Sequence, residues 1–173
     1  MSKIKILGLG LVMAGLGAMA VPAAAQNYKI GLGGRLTLDG IGANAKFFMN
    51  KAMAIELQAN VGGLSWYNDG ASTTFAGIFE YHIALPKPEW QIFFGGGLHA
   101  GVWSHDNDWY YNDEWRDANE FIFGINAIGG VEYKFKKIPL ALSGDFRPAV
   151  NFVTEPRFFS HNIIGVAARY TFK

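Results

Sequence analysis

The chain has no cysteine, little charge and, past its first residues, no long apolar run. Zero Cys in 173 residues excludes a disulfide framework and a thiolate metal site. Charged residues are 17% of the sequence, against about 25% in an average soluble domain. A surface fully wetted by water is therefore poorly provided for. A formal net charge of +1 without a Lys/Arg cluster argues against a nucleic-acid partner. After residue 25 no stretch reaches the ~18 consecutive apolar residues of a helical membrane span. What is abundant excludes disorder: 50% hydrophobic residues, 15% aromatics, and 22 glycines scattered along the chain rather than gathered in one linker. The length suggests one domain.

The first residues form an export leader by pattern. Lys3 and Lys5 supply a basic start, Ile6 to Val21 runs sixteen residues without charge, and Ala23-Ala24-Ala25 gives the small-residue cleavage pattern. Cleavage is expected after Ala25, making residues 1–25 a signal peptide and 26–173 the mature domain. The uncharged core is shorter than the ~20 residues of a spanning helix. No Cys follows, so lipoprotein modification is excluded.

The mature chain alternates at period two, the mark of strands with two unlike faces. From Phe121 to Phe135 one face reads Phe121, Phe123, Ile125, Ala127, Gly129, Val131, Tyr133, Phe135, and the other carries Asn126, Glu132 and Lys134. Eight such segments are expected: 28–38, 41–50, 53–65, 72–85, 90–104, 120–135, 138–151 and 160–172. Short connections (Asn50-Lys51, Pro86 to Glu89, Lys136-Lys137) alternate with long polar ones (Trp66 to Ala71, Ser104 to Ala118, Asn151 to His161). The first connection, Asp39-Gly40, is the exception, a short hairpin signal. Short turns at one end, long loops at the other and an even strand count fit an up-and-down membrane barrel.

The two faces decide between membrane and water. A soluble eight-stranded barrel has an apolar inside and a charged outside. Here the apolar face is nearly free of charge, and exposed to water it would aggregate. Turned outward it matches lipid, and closure leaves no unpaired backbone in the bilayer. Aromatics collect toward strand ends as two girdles: Phe47, Tyr81, Trp90, Tyr133, Phe135, Tyr170 and Phe172 at the turn end, Trp66 and Trp103 at the loop end. The expected fold class is all-β, an eight-stranded antiparallel up-and-down transmembrane β-barrel.

The chain end, GVAARYTFK, resembles the terminal-strand signal of the small bacterial outer-membrane β-barrel proteins, the OmpA/OmpX-like group. FEYHIALP and GGVEYKFKKIPLALSGDFRPAVNF also look like segments of that group. The resemblance implies residence in the bacterial outer membrane, contact with its lipid and lipopolysaccharide, and insertion by machinery that reads Tyr170 and Phe172. Lys173 departs from the group's usual final aromatic. The likeness names an architecture and no activity.

With the apolar face outward, the lumen receives Lys29, Arg35, Lys46, Glu56, Glu80, His82, His99, Glu132, Lys134, Asp145, Arg147 and Arg169. An eight-stranded bore is just filled by its own side chains, and unpaired charge there is costly. An ion-pair network of Arg35, Lys46, Glu56, Glu80, Glu132, Asp145, Arg147 and Arg169 is expected to close it. The competing reading is a narrow gated path in which Glu80 or Glu132 exchanges partners between Arg147 and Arg169.

Catalytic and metal chemistry find thin material. Some barrels of this size modify lipid A, which needs a hydroxyl nucleophile beside a base. Ser104-His105-Asp106 and Ser160-His161 are the pieces present, but neighbours on a strand face opposite ways. No catalytic residue, metal ligand or cofactor is assigned: His82, His99, His105 and His161 are scattered singly. The loop acids Asp106, Asp108, Asp113, Glu114, Asp117 and Glu120 suit a hard cation, or simply a solvated loop. Trp109, Tyr110, Tyr111 and Trp115, interleaved with those acids, form either a surface recognition loop or an extension of the upper girdle into lipopolysaccharide headgroups. The leading expectation is a non-enzymatic envelope-structural or surface-interaction protein; the runner-up is a lipid-acting enzyme using His105 or His161 with a serine.

Overall fold

In a computed structural model, residues 28–63, 70–105, 110–111, 114–115, 119–152 and 163–173 are described. The expected leader (1–25), Trp66, Trp109, Ser160 and His161 lie outside them. The strands run β1 (Ile30–Thr37), β2 (Gly40–Phe48), β3 (Met53–Gly62), β4 (Gly70–Ala84), β5 (Trp90–His105), β6 (Tyr110–Tyr111), β7 (Glu114–Trp115), β8 (Asn119–Lys134), β9 (Leu140–Phe146), β10 (Ala149–Asn151) and β11 (Ile164–Phe172). β6 and β7 pair only with each other.

The remaining strands make one closed, wholly antiparallel wall. β1 to β5 pair in chain order and β5 pairs with β8. β8 pairs with β9, β9 with β11, and β11 returns to β1. β10 continues the stave begun by β9 and pairs with the same neighbour, β8. The chain is thus an eight-staved, all-β antiparallel barrel. Each stave is hydrogen-bonded on both sides, so the ring leaves no sheet edge of the kind that lipid cannot satisfy.

One departure from the sequence reading concerns the seventh stave, expected unbroken over 138–151. It breaks at Arg147-Pro148 because proline has no N–H to give to the ladder. Ala127 N–H instead donates to the Pro148 carbonyl at 3.0 Å, and Arg147 N–H to that of Ile163 at 2.6 Å.

Period two governs burial. Alternate residues of β11 are buried and exposed without a fault from Ile164 to Phe172. The exposed set forms an apolar belt: Leu36, Leu57, Phe75, Leu98, Phe121, Val166 and Tyr170 are each more than half exposed. At the turn end the belt is aromatic, with Trp90 against Tyr133 (4.9 Å between ring centroids) and Tyr170 against Phe172 (4.9 Å). Trp103 does not join the loop-end girdle. It shares the inward parity of Gln91, Phe93 and His99 on β5 and is half-buried.

At the loop end, Gly63 closes β3 at φ 87°, a left-handed conformation that glycine adopts without a Cβ penalty, and its N–H donates to Asp39 Oδ2 at 3.0 Å.

Candidate functional site

The site is the filled bore. Its turn-end tier is organised by Lys46, opposite Glu56 in the β2–β3 register and wholly buried. Lys46 Nζ lies 3.1 Å from Glu56 Oε2, 2.7 Å from Glu80 Oε2 and 3.1 Å from Glu132 Oε2, on β3, β4 and β8 respectively. Lysine suits this centre because its ammonium is a compact point charge with three donors. Arg169, on β11, bridges two of the same acids, with Nη2 2.7 Å from Glu56 Oε2 and Nη1 3.2 Å from Glu132 Oε2. Nη1 also donates to Ser143 Oγ at 2.9 Å.

Neutral donors meet the second oxygens of Glu56 and Glu132, while Glu80 Oε1 is buried without a hydrogen-bond partner. Glu56 Oε1 accepts from Asn44 Nδ2 at 3.0 Å and Gln58 Nε2 at 2.8 Å. Glu132 Oε1 accepts from the Tyr28 hydroxyl at 2.7 Å. Tyr28 precedes β1 at the turn end; burial first, and then the negative Glu132, push its phenol well above the usual range. His82 Nε2 sits 2.9 Å from Glu80 Oε2 and its Nδ1 3.1 Å from Gln91 Oε1.

Aromatic rings line this tier. Tyr28 meets Phe48 edge-on at 5.0 Å, Phe48 meets His82 at 4.8 Å, and His82 stacks on Phe93 at 5.2 Å. Lys46 Nζ lies 4.5 Å above the Phe93 ring, a cation–π contact. Ile78, Ala76 and Ile128 pack on Phe93 as a small buried apolar cluster.

The loop-end tier is simpler. Arg35 forks onto Asp145 through Nη2 and Nε, and Arg147 Nη1 donates to Gln58 Oε1. His99 Nε2 contacts Asn151 Oδ1 at 2.6 Å. The eight charges of the two tiers are Arg35, Lys46, Arg147 and Arg169 against Glu56, Glu80, Glu132 and Asp145, and Asp39 in the loop-end hairpin is a further buried acid. The turn-end tier holds one more acid than base.

These eight residues are the ones alternation assigns to the bore, but not all twelve lumen candidates enter it. Lys29 is exposed, and Lys134 is half-buried at the turn end. Lys134 Nζ caps the carbonyls of Phe135 (2.7 Å) and Ile138 (3.1 Å); Lys134 is the last residue of β8, at the bore's mouth, and Lys29 precedes β1. Arg147, which the gated-path reading would pair with Glu80 or Glu132, bonds Gln58 instead, at the loop end of its stave beside Asp145. Sequence reasoning missed Tyr28, Asn44, Gln58, Ser143 and Gln91. Asn44 and Gln58 share the parity of Lys46 and Glu56, so the strand period carried the signal. Tyr28 opens the expected 28–38 segment with the parity opposite to Arg35, so alternation pointed it outward, whereas it precedes β1 and is buried.

Of the loop candidates, Tyr110-Tyr111 and Glu114-Trp115 form the β6–β7 ladder, with Tyr110 opposite Trp115. Ser104 is half-buried at the loop end of β5. Tyr170 and Phe172 lie on the outer belt.

The chain matches no protein-family model, and no curated protein matches it. Solved structures do resemble it. The N-terminal β-barrel domain of Pseudomonas aeruginosa OprF aligns with a TM-score of 0.61 at 13% identity, over 83% of this chain and 95% of that one. Neisserial surface protein A (NspA) aligns with a TM-score of 0.51 at 13% identity, over 83% of this chain and 93% of that one. At that identity the shared property is the fold: this is a small barrel of the outer-membrane type.

Proposed function

We propose that the protein is a non-enzymatic barrel of the bacterial outer membrane, with a closed, charge-paired lumen, serving envelope structure or surface interaction. The observation that supports it best is the convergence of Lys46 on three carboxylates from three staves, tied to β11 by Arg169. Such a cluster fills a bore that is only as wide as its side chains. Breaking it uncovers buried charge at a cost of about 3–5 kcal/mol, so it is held shut rather than left to fluctuate. The apolar belt and its aromatic turn-end rim support residence in lipid.

In this reading the belt contacts membrane lipid and lipopolysaccharide, Tyr170 and Phe172 belong to the stave read by the insertion machinery, and the segment holding Trp109, Tyr110, Tyr111 and Trp115 faces the outside as the candidate recognition loop. No metal or cofactor is invoked. Purified protein in liposomes tests the lumen: wild type should pass no small sugars, and the Lys46→Ala/Arg169→Ala double variant should leak. Steady wild-type flux would establish the gated-path alternative. Lipid A mass spectra with and without expression test the enzymatic one, and acyl changes abolished by His105→Ala or His161→Ala would overturn the non-enzymatic reading.

A further inference from the structure

The barrel sorts its lysines. Eight follow residue 25, and all but the luminal Lys46 lie at the turn ends of the staves. The only acid outside the bore at that end is Glu89, whereas six acids of the sequence fall in residues 106–120, which follow the loop end of β5.

Five of these lysines surround a cavity of about 690 Å³ at the turn-end mouth: Lys29, Lys134, Lys136, Lys137 and Lys173. Its floor is made by Tyr28, Gln91 and Thr171, all buried. Below the floor, the Tyr28–Glu132 hydrogen bond begins the ion cluster. Pro88 and Pro139 stiffen the walls. Glu89, the one acid of the lining, is already taken by Lys136. Lys29, Lys137 and Lys173 are exposed. The mouth is therefore a concave cup with a large cationic excess, of the size of ordinary ligand pockets (about 300–1,000 Å³).

We propose that this cup docks an acidic peptide segment of a soluble partner that approaches the barrel from its turn end. The shape argues against membrane headgroups, because the cup opens along the bore and its floor is inward-facing residues. The lipid-facing rim at the same end is Trp90, Tyr133, Tyr170 and Phe172 instead. The donor set argues against a lone phosphate, since the lining holds no arginine fork, only ammonium groups spread around a rim. Separated point charges suit a chain bearing several separated carboxylates, and they speed its encounter more than they tighten any one contact. Which compartment this end faces rests on the outer-membrane reading; the surface itself does not.

The test uses purified barrel in zwitterionic micelles and a fluorophore-labelled poly-glutamate peptide, followed by anisotropy. Saturable binding that weakens with added salt is expected. The Lys29→Gln/Lys137→Gln/Lys173→Gln variant should bind about ten-fold more weakly. A Lys51→Gln/Lys87→Gln control, at the same end but outside the cup, should stay within about two-fold. Heat-shifted gel mobility confirms that each variant is folded, and sugar flux separates failure here from failure of the closed-lumen reading. Absent binding, or binding undiminished in the triple variant, overturns the proposal. Displacement of the peptide by inorganic phosphate or by phosphatidylglycerol as readily, per charge, as by unlabelled peptide also overturns it, and marks a general anion or headgroup site.

Discussion

Arg169 reaches across the bore to Glu56, its Nη2 2.7 Å from Oε2 although the two lie 113 residues apart and their staves are separated by β1 and β2 in the wall. The contact is a strut rather than a neighbour pairing. It makes opposite sides of the barrel depend on one another, so the charges of the turn-end tier should respond to mutation as a unit.

Lys46→Met tests that unit. It removes the shared cation from Glu56, Glu80 and Glu132 while keeping much of the aliphatic stem, and should destabilise the barrel by about 3–5 kcal/mol. Adding Glu80→Gln should recover part of the loss by removing one stranded carboxylate. Urea unfolding from lipid vesicles gives both values; a double variant whose losses simply add would refute the coupling.

The outer belt predicts a depth dependence. Leu98, mid-stave on β5 and 55% exposed, should cost about 2–4 kcal/mol when changed to Arg. Leu38, 68% exposed at the loop-end hairpin, should cost about 0–1 kcal/mol for the same change. The same unfolding assay reads both, and equal costs would mean that the belt is not embedded.

Two glycines of the wall should behave oppositely. A Cβ on Gly97 would stand 2.7 Å from Ile78 Cα and 2.9 Å from the Gly77 carbonyl carbon, backbone that cannot step aside. Gly144 has nothing within 4 Å of a built Cβ. Gly97→Ala should therefore lose about 1–3 kcal/mol and Gly144→Ala almost nothing, a contrast that thermal gel-shift melting resolves.

Tyr28 sets an alkaline limit. Its phenol titrates above its unfolded value, so the neutral form is favoured in the barrel and its stabilisation is complete below about pH 10. Above that, the unfolded chain releases the proton first and stability falls with rising pH until the folded phenol ionises too. Tyr28→Phe should flatten this part of the stability profile and remove one late-titrating tyrosine from the ultraviolet absorbance curve. A profile unchanged by the substitution would count against it.

Period-two alternation made the staves legible because lipid and bore impose opposite demands on successive residues. Arg35 or Glu132 could be assigned inward with no knowledge of its partners. Partnering was not legible, since it depends on how staves are staggered across the bore. Nothing near Arg147 in the chain points to Gln58, nor anything near Tyr28 to Glu132. Phe48 and Phe93 belong to the inner face by parity, but nothing in an apolar ring marks it as a bore residue. Pro148 was visible, but whether a proline ends a stave or only interrupts it is decided by its neighbours' hydrogen bonds.

The ring is sealed where β1 meets β11, with Ile30 opposite Phe172. Its first and last strands are therefore also its seam. The wall cannot become a cylinder until the final stave has been delivered, and assembly must wait on a contact between residues 30 and 172, of the long-range kind that is slowest to form. A chain shortened by that one stave would lose more than an eighth of its wall. It would be left as an open ribbon with two raw margins in oil, and every strut across the bore would have lost the curvature that brings its ends together.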